Sequence, residues 1–240
     1  MGHHEGGLGV TSDDASIRRL GAWTAVGLAA GLAAVAFWVP TDDFQGLPQR
    51  IFYVHVPAAW AAYIAFSVTA LASIGYLWKR TRRWDLLALA SAEAGVLFTA
   101  VNLVTGMLWG RPIWGAYWTW DPRLTSTFVM FLVYLGYLAF RSMATDPERG
   151  ARIASIIGIL GVIEIPIIHF SVVLWAAQHP PPAVVRPGGP DMPGEMLLTL
   201  LFMSVVFTML LSLLVRLRTR VGRLEDEAYR LELRDPEPVR

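Results

Sequence analysis

Four tryptophans, Trp109, Trp114, Trp118 and Trp120, fall within twelve residues, inside the stretch WGRPIWGAYWTWDPRLTS. Aromatic belts at a membrane interface account for isolated rings, and would account for Trp109 and Tyr117 taken singly. They account less well for the whole set, because Gly115 and the flanking Pro112 and Pro122 predict a compact turn in place of a continued helix. Were the middle of this stretch helical, Trp114, Trp118 and Asp121 at i, i+4 and i+7 would share one face. That face would be an aromatic platform edged by a carboxylate, with Arg111 and Arg123 on either side. Such a surface suits a large, planar, apolar ligand that carries its own negative charges.

Two histidines bear on the same chemistry. His55 lies in RIFYVHVPAAW, just ahead of Pro57, and a proline is well tolerated in the first turn of a helix. His179 lies in LWAAQHPPPAV, where the following proline biases it away from helical geometry and predicts a helix end. Two neutral imidazoles can hold a haem iron from opposite faces while aromatic rings cover the macrocycle and arginines meet its propionates. The chain has no cysteine, which excludes disulfides, thiolate metal sites and C-x-x-C-H haem attachment to this chain. His169, in EIPIIHFSVV, falls inside an apolar run and is expected to be packed or supporting, with ligation as the lesser alternative. His3 and His4 sit in a glycine-rich tail and receive no role. No G-x-x-x-x-G-K-[ST] occurs, so any ATP hydrolysis would come from another chain.

The elements that must position these residues follow from composition. Of 240 residues 55% are hydrophobic and 16% charged, which argues against a water-soluble enzyme. Six apolar runs, 21–39, 52–78, 86–109, 124–140, 151–177 and 196–215, approach or exceed the roughly 20 residues that cross a hydrocarbon core. Backbone groups in lipid must bond within their own segment, and the runs lack period-two alternation, so the expected fold is an all-α polytopic bundle of six transmembrane helices. Taking alternate connections, sixteen Lys and Arg lie on one side and four, Arg50, Arg111, Arg123 and Arg186, on the other. The basic excess predicts cytoplasmic termini. The start of span two, the tryptophan loop and the end of span five then all emerge outside. The organisation expected is an N-terminal tail at 1–20, a membrane domain at 21–215 with an outside loop near 110–123, and a charged cytoplasmic tail at 216–240. Glu93 and Glu164 fall within spans, where a neutral or paired carboxyl packed against another helix is expected in preference to a proton relay. Asn102 is a candidate for an interhelical hydrogen bond.

The tryptophan stretch resembles the "WWD" signature of haem-handling membrane proteins, matching W-G-x-x-W-x-W-D-x-R-L-T at Trp114, Gly115, Trp118, Trp120, Asp121, Arg123, Leu124 and Thr125. RIFYVHVPAAW and IPIIHFSVVLWAAQH resemble the corresponding segments of the CcmC family, haem exporter protein C of bacterial cytochrome c maturation. The likeness runs from about Arg50 to His179. It implies a protein of the bacterial inner membrane that binds haem b non-covalently and transiently at the periplasmic surface. In that reading His55 and His179 are axial ligands, Trp114, Trp118, Trp120 and Asp121 form the platform, and Arg50, Arg111 and Arg123 are candidates for the propionates. The implied partners are a CcmE-like periplasmic haem chaperone, an ABC-type ATPase and membrane subunit (CcmA and CcmB), a small single-span CcmD-like protein and the lipid bilayer, with no nucleic acid. The expected role is haem handling and transfer without turnover of its own. Two alternatives stand beside it, a haem permease subunit of an ABC-type complex and a cytochrome c haem synthetase of the wider WWD family. The orientation is directly testable: an alkaline phosphatase fusion at Gly115 is expected to be active and one at Thr145 inactive, and the opposite pattern would overturn it.

Overall fold

The computed structural model describes residues 12–175 and 188–234. His179, Arg186, the N-terminal histidines and the last residues of the tail lie outside them. The described residues contain helices and no β-strand. In order these are α1 (Ser12–Phe37), a short 3-10 turn (Leu47–Ile51), α2 (Phe52–Lys79), α3 (Arg82–Trp114), α4 (Pro122–Met143), α5 (Pro147–Gly161), α6 (Glu164–Leu174) and α7 (Gly194–Arg234). Six helical segments are long and apolar enough to cross a membrane, α5 and α6 together making the fifth.

The break in that fifth span has a local cause. Pro166 has no N–H to offer the carbonyl of Val162, and Ile165 N bonds it at 3.1 Å in a tighter turn. Helix α5 therefore gives way to α6 through a turn at Val162 and Ile163, where the apolar pattern alone predicts one continuous helix. His169 on α6 is exposed, which removes the packed alternative of its reading, and its ring meets that of Phe170 edge to face at 5.3 Å.

Small residues let the central helices approach. α2 buries Ala58, Ala61, Ala62 and Ala65 at spacings of three and four, and α3 buries Ala88, Ala92 and Gly95. A Cβ on Gly95 would collide with the ring of Phe66, which in turn stacks on Tyr134 of α4 with centroids 3.6 Å apart. Tyr134 Oη donates to Gly158 O of α5 at 3.1 Å, so one buried ring pair links four helices.

One end of the bundle is tied by charge. Asp85 of α3 receives Arg82 and Arg141, each at 2.5 Å, and Arg220 of α7 pairs with Asp14 of α1. Arg82 also donates to both oxygens of Asp226, at 2.8 and 2.9 Å, and this bidentate bond holds the Asp226 carboxyl below its usual range. Glu93 is bonded by Arg218 Nε at 2.7 Å, the paired carboxyl expected from the sequence. The charged tail is thus the continuation of α7, docked on α1 and α3 and not simply solvated, with Gly222 close against Leu86. These contacts bring the start of α1 and the end of α7 to one end of the bundle. The 3-10 turn, the loop between α3 and α4 and the start of α7 lie at the other. A Gly95→Ala substitution is expected to cost about 1–3 kcal/mol by overpacking Phe66, read as earlier thermal unfolding in detergent; unchanged unfolding would show that this contact does not limit the helix approach.

Candidate functional site

At the end opposite the termini, α2 begins directly after the 3-10 turn, so Pro57 falls inside the helix and His55 occupies its fourth position. The half-buried ring of His55 packs against α3. Nδ1 lies 3.1 Å from Thr105 Oγ1, and Asn102 Nδ2 donates to His55 O at 3.0 Å. The same amide nitrogen is 3.3 Å from both ring nitrogens, a symmetry that places it over the imidazole face and not in the ring plane. Trp109 meets the ring at 5.6 Å and 71°, and its Nε1 donates to Gln45 Oε1 at 2.9 Å. A Cβ on Gly106 would stand 2.9 Å from His55 Cε1, so the glycine allows this approach. Asn102 makes the interhelical bond proposed for it. Thr105 and Gly106 escaped the sequence reading, although Asn102, Thr105, Gly106 and Trp109 recur at i, i+3, i+4 and i+7, the spacing of one helix stripe.

The tryptophan stretch differs from its expected shape. Helix α3 continues through Pro112 to Trp114, beyond the predicted end at Trp109, and stops at Gly115, whose φ of 78° is the left-handed conformation that glycine adopts freely. A proline removes one helical bond, and in the last turn the helix tolerates that loss. The segment from Gly115 to Asp121 is non-helical, so Trp114, Trp118 and Asp121 do not form a helical face. Trp114 packs back against Gly110, where a Cβ would lie 3.0 Å from its ring. Trp118 meets Trp120 at 5.7 Å and 83°, and Phe128 of α4 at 5.5 Å and 78°. These three rings, with Leu103 and Met107 of α3, line an open apolar groove of about 310 Å³. Leu103 and Met107 lie on the stripe of α3 beside the one that carries Asn102 and Gly106. Trp120 is 78% exposed and forms the rim.

The charged residues have local tasks. Asp121 is buried and caps α4, accepting Arg123 N at 3.0 Å, with Pro122 in the first turn. Arg123 is half-buried near Asp121 and Tyr63. Arg111 donates to Gly115 O and lies over Tyr117, 5.6 Å from its ring centre. Arg50 donates to Ala36 O at 2.7 Å, with Val39 O at 3.5 Å, closing the end of α1. Two of the three arginines considered for an anionic ligand are therefore partly committed to helix-end carbonyls, though each guanidinium has further N–H groups.

The residues present suit a broad apolar ring system with polar edges. The groove volume is at the lower end of the roughly 300–1,000 Å³ typical of ligand pockets, room for one side of a large planar molecule. Trp118 Nε1, Thr119 Oγ1 and Thr125 Oγ1 are buried without a hydrogen-bond partner among the described residues, as is Arg50 Nε. Three orphaned polar atoms within one loop and its following turn are what a missing polar partner would leave behind.

Comparison with known proteins shows the family. Residues 10–234 match the family described as heme exporter protein C. Similar proteins include heme exporter protein C of Bradyrhizobium diazoefficiens, 43% identical over 80% of this chain and 72% of the relative, and that of Haemophilus influenzae, 37% identical over 85% and 82%. A protein of Marchantia polymorpha, whose name describes it as ccmC-like, mitochondrial and of cytochrome c biosynthesis, is 38% identical over 78% of this chain and 79% of its own length. For the loop itself, Asp121→Ala is expected to cost about 0.5–2 kcal/mol through loss of the cap, with Asp121→Asn retaining most of it. Thermal unfolding of the two variants checks this, and equal losses would assign the effect to charge instead of capping.

Proposed function

The chain belongs to the heme exporter protein C family, a family of haem handling for cytochrome c maturation, and from that premise we propose that it holds haem b non-covalently at the periplasmic surface of the inner membrane and delivers it to a CcmE-like chaperone. The haem is cargo. The observation that carries this reading is the apolar groove of Leu103, Met107, Trp118, Trp120 and Phe128 beside the α2–α3 contact that holds His55, at the end of the bundle away from the termini.

Each group has a task that follows from its chemistry. Leu103, Met107 and Phe128 take the macrocycle's edge out of water, and Trp118 and Trp120 cover it. The exposed rim at Trp120 keeps the cargo accessible to the chaperone. His55 and His179 serve as axial iron ligands. Arg123, and the uncommitted N–H groups of Arg50 and Arg111, neutralise the propionates. Asp121 and Trp114 act on the protein side, fixing the start of α4 and the end of α3. Haem transfer needs no hydrolytic centre in this chain, and a CcmA–CcmB ATPase complex with a CcmD-like subunit supplies the energy. The cytoplasmic placement of both termini rests on the basic excess at the end where α1 starts and α7 finishes.

Visible absorption of the detergent-purified protein, alone and co-expressed with a CcmE-like chaperone, tests the reading. Wild type is expected to show a bis-histidine haem spectrum. His55→Ala and His179→Ala should lose it, while Trp118→Ala and Trp120→Ala weaken haem binding by about two- to tenfold, the worth of one aromatic contact. A wild-type protein that stays haem-free under both conditions with haem supplied would overturn the proposal.

A further inference from the structure

The contact between Thr105 and His55 bears on which ring nitrogen carries the proton. A threonine hydroxyl has one proton and two lone pairs, and a carbonyl can only accept. Thr105 Oγ1 lies 2.7 Å from Val101 O and 3.1 Å from Asn102 O, both within its own helix. Its single proton is committed there. The contact of 3.1 Å between the same oxygen and His55 Nδ1 is then a hydrogen bond only if Nδ1 is the donor. A neutral imidazole bears one N–H, so the lone pair resides on Nε2.

From this geometry we propose that Thr105 is a positioning residue: it fixes His55 as the Nδ1–H tautomer and thereby makes Nε2 the atom that meets the iron. This rests on the reading of His55 as an axial ligand. Neighbouring groups hold the ring in the same pose. The Asn102 amide lies over its face and anchors the backbone carbonyl, Trp109 meets it edge to face, and Gly106 leaves room beside Cε1. A metal-bound imidazole is generally oriented by a hydrogen bond from its second nitrogen, and the acceptor sets its donor strength. A carboxylate acceptor would draw the imidazole toward imidazolate and tighten the iron bond. A hydroxyl is neutral and draws weakly, which suits a ligand that must let its cargo go.

The test uses the full-length protein with ¹⁵N-labelled histidine, the His55 signals being identified by their loss in His55→Ala. In the haem-free wild type the nitrogen shifts are expected to show Nδ1 protonated and Nε2 bare. Thr105→Ser, which retains the hydroxyl, should keep that pattern. Thr105→Val, which retains the shape without the acceptor, should shift His55 toward the Nε2–H form. With haem supplied, Thr105→Val is expected to bind about 10- to 100-fold more weakly, with a more positive midpoint potential, and Thr105→Ser to stay near wild type. An Nε2–H wild type, an unchanged tautomer and potential in Thr105→Val, or equal losses in Val and Ser variants would each overturn the proposal. A wild type that shows the Nδ1–H form yet takes up no haem supports the tautomer assignment and overturns the haem reading on which the iron contact depends.

Discussion

A backbone inside hydrocarbon has to satisfy its hydrogen bonds within its own helix, and the structure is organised by the few places where that rule is strained. Pro166 withdraws one N–H and the helix of the fifth span is interrupted by a turn, with Ile165 taking the carbonyl that Pro166 leaves. Helix ends release further carbonyls and N–H groups, and polar side chains meet several of them. Arg50 closes the end of α1, Arg111 the end of α3, and Asp121 the start of α4. The end of the bundle that carries the candidate site is thus held by the same arginines and carboxylate whose charges first suggested a ligand. For the arginines these tasks are compatible because a guanidinium has more donors than one carbonyl can use.

Close approach of the helices is the second condition. Apolar burial gives little preference for one helix over lipid, so the interfaces rely on small residues and on polar groups that find partners. Ala and Gly on α2 and α3 bring Phe66 against Tyr134 and His55 against the stripe of Asn102, Thr105, Gly106 and Trp109. Among the described contacts, α3 supplies Asn102, Thr105 and Trp109 to the imidazole. At the opposite end charge pairing does the equivalent work, and α7 is drawn onto α1 and α3 through Arg220, Arg218 and Asp226.

Haem handling asks for a site that is firm in its first contacts and open at its edge. Trp118 and Phe128 are packed, Trp120 is exposed, and the groove between them is apolar and shallow. An open apolar groove can release a large ring system stepwise, whereas an enclosed pocket would need the bundle to open.

By itself the amino-acid sequence determined the number of crossings, the helical class, the WWD resemblance and the nearness of His55 to a helix end, because span length and motif identity are properties of the chain alone. It also singled out Asn102 and the paired state of Glu93, since a polar group in an apolar run has to find a partner. It misjudged the tryptophan stretch, because Pro112 reads as a breaker locally while Gly115 is where the helix stops, and the packed alternative for His169 fails because that residue is exposed. Only the tertiary structure decided which side chains surround His55. Those depend on how closely α2 and α3 approach, and that distance is set by residues far apart in sequence with no side chain, or almost none, between them.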